Sequence, residues 1–127
     1  MQSKTALGVG ATLAMLAVAA GAFGSHSLKA RLSADMLAVF EVAVRYHMYH
    51  ALALILTGGA LARYGASLFR KASWFFALGI LLFSGSLYGM SLLGFRWLGI
   101  LTPVGGALFL MGWLFLAIGF FRADRAA

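Results

Sequence analysis

Residues 72–121 read ASWFFALGILLFSGSLYGMSLLGFRWLGILTPVGGALFLMGWLFLAIGFF, and Arg96 is the one formal charge among them. It divides the stretch into two uncharged windows, Ala72 to Phe95 and Trp97 to Phe121. About 20 apolar residues, within a range of about 17–25, carry a helix across a hydrocarbon core of about 30 Å. Both windows are long enough to span a membrane, and the turn Gly94-Phe95-Arg96 joins them on one side of it.

Working outward along the chain, Thr5 to Leu28 and Tyr46 to Ala62 are also free of Lys, Arg, Asp and Glu. The expected fold is all-α, an integral membrane four-helix bundle. Residues 1–127 form a single multi-pass transmembrane domain, with spans at about 5–24, 46–63, 73–93 and 98–121. Composition agrees. The 127 residues are 63% hydrophobic and only 10% charged, with 16 glycines, against about 45–50% apolar and about 25% charged in soluble domains. The first window also resembles a secretory signal, with Lys4 before it and the small-residue run Ala17 to Ala22 as a cleavage site. Ala6 to Phe23 is nonetheless longer than a signal core of about 7–15 residues.

Ten Lys and Arg against three Asp and Glu give a net charge of +7. The cations are strewn singly between apolar runs rather than clustered on a basic face with stacking aromatics, so nucleic acid is excluded as a partner. They mark topology instead. Lys4, Arg63, Arg70, Lys71, Arg122 and Arg125 fall on one side, and Lys29, Arg31, Arg45 and Arg96 on the other, which places both termini in the cytoplasm. Trp74 and Trp97, with Tyr46, Tyr49 and Tyr64, suit interfacial aromatic belts. The absence of cysteine excludes disulfide scaffolds, thiol relays and cysteine-based metal centres.

In lipid, helices associate where small residues let backbones approach. Gly85 and Gly89 form a GxxxG pair, with Ser84 and Ser86 able to bond across helices or to their own carbonyls. Gly105, Gly112 and Gly119 recur every seven residues as one stripe, of a kind that packs its own chain more often than it dimerises it. Thr102-Pro103 reads in two ways. Thr102 is an N-cap with proline at the first helical position, or one helix continues through a kink at Pro103.

From Ser33 the residues SADMLAVFEVAVRYHMYHALALIL keep helical periodicity and give the second helix an amphipathic, interfacial start. Ser33 is the expected N-cap and Asp35 suits the positive helix end. Asp35, Ala38, Glu41 and Arg45 share a stripe, Glu41 four residues before Arg45 in the favourable order for an ion pair. Leu37, Phe40, Val44, Ala51 and Leu54 form the other face, with His47 within it and His50 beside it. Connectivity places His26, Glu41, His47 and His50 near one membrane face. That makes a candidate metal cluster, against which stands the commoner role of an imidazole donating to a backbone carbonyl. Nothing here matches a local signature such as HExxH.

GAFGSHSLKARLS, FEVAVRYHMYHALALIL and TPVGGALFLMGW resemble, in order and spacing, the successive signatures of the YgdD-like family, the domain of unknown function 423 group. The resemblance covers essentially the whole chain. It implies a small multi-pass protein of the bacterial inner membrane, with related proteins in animals and no established activity or ligand. His26 and His50 fall in motif positions, whereas members often carry glutamine at His47, which weakens a site needing all three imidazoles. No catalytic residue is implied.

Three functions are weighed. The first is a structural or accessory membrane protein, not an enzyme and without a cofactor, partnered by the lipid bilayer and by itself or a larger membrane complex. It is motivated by the glycine stripes and the shortage of buried chemistry. The second is a small transporter or channel, of the size of the small multidrug exporters and fluoride channels. Against it, the acids Asp35, Glu41 and Asp124 all lie near an interface, and the chain has no asparagine. The third is a metal or haem site of His26 and His50 assisted by His47 or Glu41. A hydrolase fares worse, because Ser25 beside His26 has no Asp placed to orient the imidazole.

Overall fold

The computed structural model describes residues 1–123; Asp124 and Arg125, counted among the charges above, lie outside the described residues. Four helices are long and apolar enough to cross a membrane: Ser3–Leu28, Ala34–Tyr64, Ser67–Leu93 and Arg96–Ala123. Among the described residues there is no strand. The large apolar side chains left exposed, Leu81, Ile100, Leu110 and Phe121 among them, are on the outside because lipid, unlike water, does not drive them inward.

The second helix begins where its sequence places it. The Ser33 hydroxyl accepts from the Met36 N–H at 3.2 Å, and Asp35 follows in the first turn. It ends at Gly65, which takes a left-handed φ of 66° and closes the Leu61 carbonyl at 2.9 Å, a conformation that favours glycine. Between those signals the amphipathic start and the span are one helix of 31 residues. The span therefore starts well before position 46, and residues 46–50 sit near its middle. Among the described residues no ion pair joins Glu41 to Arg45. Both side chains are exposed and solvated separately, as water competes well with a pair of this kind.

The first helix lies antiparallel on the second. Ser3 Oγ donates to the Gly58 carbonyl at 2.9 Å, and Gly58 admits Ala6 and Leu7. Further along, Gly10 lies on Ala51 and Ile55, and Gly24 on the Phe40 ring. Its last turn, Gly24–Leu28, is a π-turn. Beyond the second helix it finds almost no other support.

The third and last helices interlock more deeply. Phe69, Phe76 and Phe83 are spaced by seven residues and lie against Gly119, Gly112 and Gly105 respectively. A seven-residue period on both partners is that of left-handed, coiled-coil packing. Phe109 returns the contact by lying over Gly79. The glycine stripe thus packs its own chain. Of the GxxxG pair, Gly89 receives Leu98, while Gly85 has only the Ile80 carbonyl at 4.0 Å.

A 3-10 turn, Arg96–Ile100, leads into the last α-helix at Leu101. Pro103 lies in the first α-helical turn, where its missing N–H leaves no bond unmade. Thr102 is inside the helix rather than its N-cap. Its hydroxyl bonds Ser86 Oγ at 2.6 Å, and Ser86 also donates to its own Phe83 carbonyl at 2.8 Å. Ser84 donates to the Ala43 carbonyl of the second helix at 2.8 Å. The two serines use both kinds of acceptor expected of them.

Candidate functional site: two buried histidines

His47 and His50 are three residues apart on the inward side of the second helix and are 6% and 5% exposed. His50 Nδ1 lies 2.7 Å from the Tyr46 carbonyl one turn earlier. Trp113 Nε1 of the last helix donates to His50 Nε2 at 3.2 Å. An indole N–H can only donate, so Nε2 accepts and the proton resides on Nδ1, where it bonds Tyr46. The two partners fix one neutral tautomer. The ring also stacks on Phe109 at 3.4 Å between centroids, with Tyr46 stacked at 5.9 Å. With its one lone pair engaged, His50 has none left for a metal.

His47 is less complete. Nδ1 and the Tyr88 hydroxyl of the third helix are 2.9 Å apart, and Nε2 is buried without a hydrogen-bond partner. Two clefts flank the pair between the first and third helices. One, of about 370 Å³, is lined by Leu16, Phe23, Phe40, His47, Tyr88 and Leu92; the other, of about 350 Å³, by Val9, Leu13, His47, Ile80, Ser84 and Tyr88 among others. Both walls are apolar save for the pair itself and Ser84.

The four candidate ligands do not converge. His26 is exposed on the π-turn ending the first helix, and Glu41 is exposed on the second, beside a separate cleft shared with Gly24, Ser25 and Arg45. Among the described residues no three His, Asp or Glu side chains are grouped to hold a metal. The expectation of a common membrane face fails for a definite reason. Because the second helix runs unbroken from Ala34, His50 is near its middle, and its partners Phe109 and Trp113 are near the middle of the last helix.

The sequence alone did not point to these partners. Tyr46, expected at the interface, packs on Phe83 at 4.8 Å as well as on His50. Trp113 did carry a signal, since it is the one tryptophan away from the start of a span and its N–H needs an acceptor in a dry interior. The phenylalanine heptad was equally legible beside the glycine heptad.

Comparison with known proteins extends this picture. Residues 20–106 match the family described as a protein of unknown function, DUF423. A UPF0382 membrane protein of Staphylococcus saprophyticus is 45% identical over 90% of this chain and 94% of its own length. The UPF0382 membrane protein YwdK of Bacillus subtilis is 40% identical over 87% of this chain and 90% of its own length. No solved structure matches. Family profile, full-length relatives and four membrane-spanning helices agree with the resemblance read from the three sequence signatures, and the chain belongs to the DUF423 family of UPF0382 membrane proteins.

Proposed function

We propose that this protein is a structural or accessory component of the bacterial inner membrane, with both termini in the cytoplasm, which performs no chemistry of its own and acts by association. The observation that carries this is the isolation of the first helix. It rests almost wholly on the second helix, and its outward face bears a cleft of about 420 Å³ lined by Thr5, Gly8, Val9, Thr12 and Leu13. A Cβ at Gly8 would meet nothing within 4 Å, and the Thr12 hydroxyl is satisfied by the Gly8 carbonyl at 2.9 Å. Gly8 and Thr12 are a small-xxx-small pair, the pattern that lets a second helix approach closely in lipid. The glycines Gly105, Gly112 and Gly119 offer no such surface, being filled from within.

The occupant proposed is the first helix of a second copy, since one self-complementary patch suffices for a two-fold dimer. Extraction of native membranes in mild detergent should yield a dimeric particle. Gly8→Leu should dissociate it, whereas Leu110→Ala, on the exposed face of the last helix, should not. A partner protein in place of the second copy would keep the accessory role and replace the dimer. A strictly monomeric, partner-free particle overturns the proposal.

A further inference from the structure

At the end of the bundle where the second helix stops, the third begins and the last finishes, a cleft of about 300 Å³ is lined by Arg63, Tyr64, Ala66, Leu68, Gly119 and Arg122. It is distinct from the histidine pair and from the groove on the first helix. We infer that this arginine-lined cleft is a binding site for the phosphate headgroup of an anionic phospholipid.

Its chemistry is built from several elements. Arg63 and Arg122 both line it, and a guanidinium presents a planar fork of donors that suits phosphate oxygens. Arg63 is held over the Tyr64 ring at 5.4 Å, a cation–π contact that limits how far the side chain strays. The third helix enters through Ala66, which makes no side-chain cap, so the first-turn N–H groups of Ser67 and Leu68 bring its positive end to the same cleft. Against an anion stand the carbonyl ends of the second and last helices, each about half a negative charge. Two full positive charges and the third helix's own half charge outweigh them.

The surroundings select a lipid over a free ion. Lys4, Arg70 and Lys71 lie at the same end of the bundle, and no acid does among the described residues; Asp35 and Glu41 are at the other end. Ala66 and Leu68, both apolar and half-buried, give the cleft an apolar flank on the third helix. A phosphate held by the arginines can therefore leave its acyl chains along that flank. Basic clefts between membrane helices are recognised sites for anionic headgroups.

Native mass spectrometry of the full chain released from detergent tests this with phosphatidylglycerol, phosphatidylcholine and inorganic phosphate as probes. Phosphatidylglycerol adducts should persist where phosphatidylcholine is shed, and millimolar phosphate should not displace them. The paired change Arg63→Ala with Arg122→Ala should cut retention about thirty-fold, each arginine near an anionic surface being worth a factor of about five. Each single change should cut it less, which keeps the test intact should the pair fail to fold. Arg45→Ala with Arg96→Ala, at the opposite end, should leave retention unchanged. Equal retention of both lipids, equal loss with the opposite pair, or displacement by free phosphate each overturns the assignment.

Discussion

At position 50 an imidazole at the centre of a membrane bundle commits one nitrogen to a carbonyl of its own helix and the other to an indole from the last helix. A buried polar group is costly only while unpaired, and hydrogen bonds between membrane helices average about 0.6 kcal/mol with a maximum of about 1.7. Trp113→Phe preserves an aromatic ring near Phe76, 5.1 Å from the indole at present, but removes the donor and orphans His50 Nε2. It should destabilise the protein by about 1–1.7 kcal/mol, the upper part of that range, because the acceptor left behind is buried. Thermal unfolding in detergent measures this. Nitrogen-15 spectra of labelled histidine should independently show a protonated Nδ1 and an unprotonated Nε2 at His50; the reverse pattern would contradict the bond to Trp113. Helical spacing was enough to place both histidines on the apolar side of their helix. Their partners were not readable from spacing, since Tyr88 and Trp113 are 41 and 63 positions distant from His47 and His50, and only the packing of three helices brings them together.

Between elements, the decisive fit is a row of rings in a row of gaps. A Cβ added at Gly112 would come to 2.7 Å from the Phe76 ring, and one added at Gly119 to 2.6 Å from Phe69. At Gly105 the obstacle is the Phe83 backbone, which cannot turn aside as a side chain can. Gly112→Ala and Gly119→Ala should therefore each cost about 1–3 kcal/mol, the usual range for an overpacked core, and Gly105→Ala should cost the most. Gly59→Ala, with nothing within 4 Å of the added carbon, should be neutral or slightly stabilising, alanine being the better helix former. Unfolding midpoints of the four variants in one detergent rank them; equal midpoints would refute the interlock. The glycine period of seven was legible in the sequence, as was the tendency of such stripes to pack within a chain. Of the two readings of Thr102-Pro103, the N-cap does not hold, and nothing local reveals Ser86 as the partner of the Thr102 hydroxyl across the helix interface. The 3-10 turn before Leu101 likewise has no signal in the apolar run Trp97 to Leu101.

For the whole molecule, three helices form an interlocked unit and the first leans on its flank. The interior of that unit is filled by His50, Phe76 and Phe109, with the half-exposed rings of Tyr46 and Trp113 packed on them from its edge. Four spans were legible because each charge-free window exceeds the length a bilayer demands. The layout of helices was not, because both sides of the first helix are apolar: Ala6, Gly10 and Ala17 are buried while Met15, Leu16 and Val18 are exposed, and lipid does not drive the larger side chains inward as water would. Orientation rests on charge. Lys4, Arg63, Arg70, Lys71 and Arg122 share one end, and Lys29, Arg31, Arg45 and Arg96 the other, so the positive-inside rule favours the first end in the cytoplasm by a modest margin. The chain has no cysteine of its own, and any introduced thiol is therefore a unique probe. Ser67→Cys, beside the connection of the second and third helices, should react with a membrane-impermeant maleimide only after cells are opened. Phe95→Cys, in the turn before the last helix, should react in intact cells. The opposite pattern would place the four-cation end inside, and the arginine cleft would then meet the outer leaflet of the membrane, so that this labelling also decides which leaflet supplies its lipid.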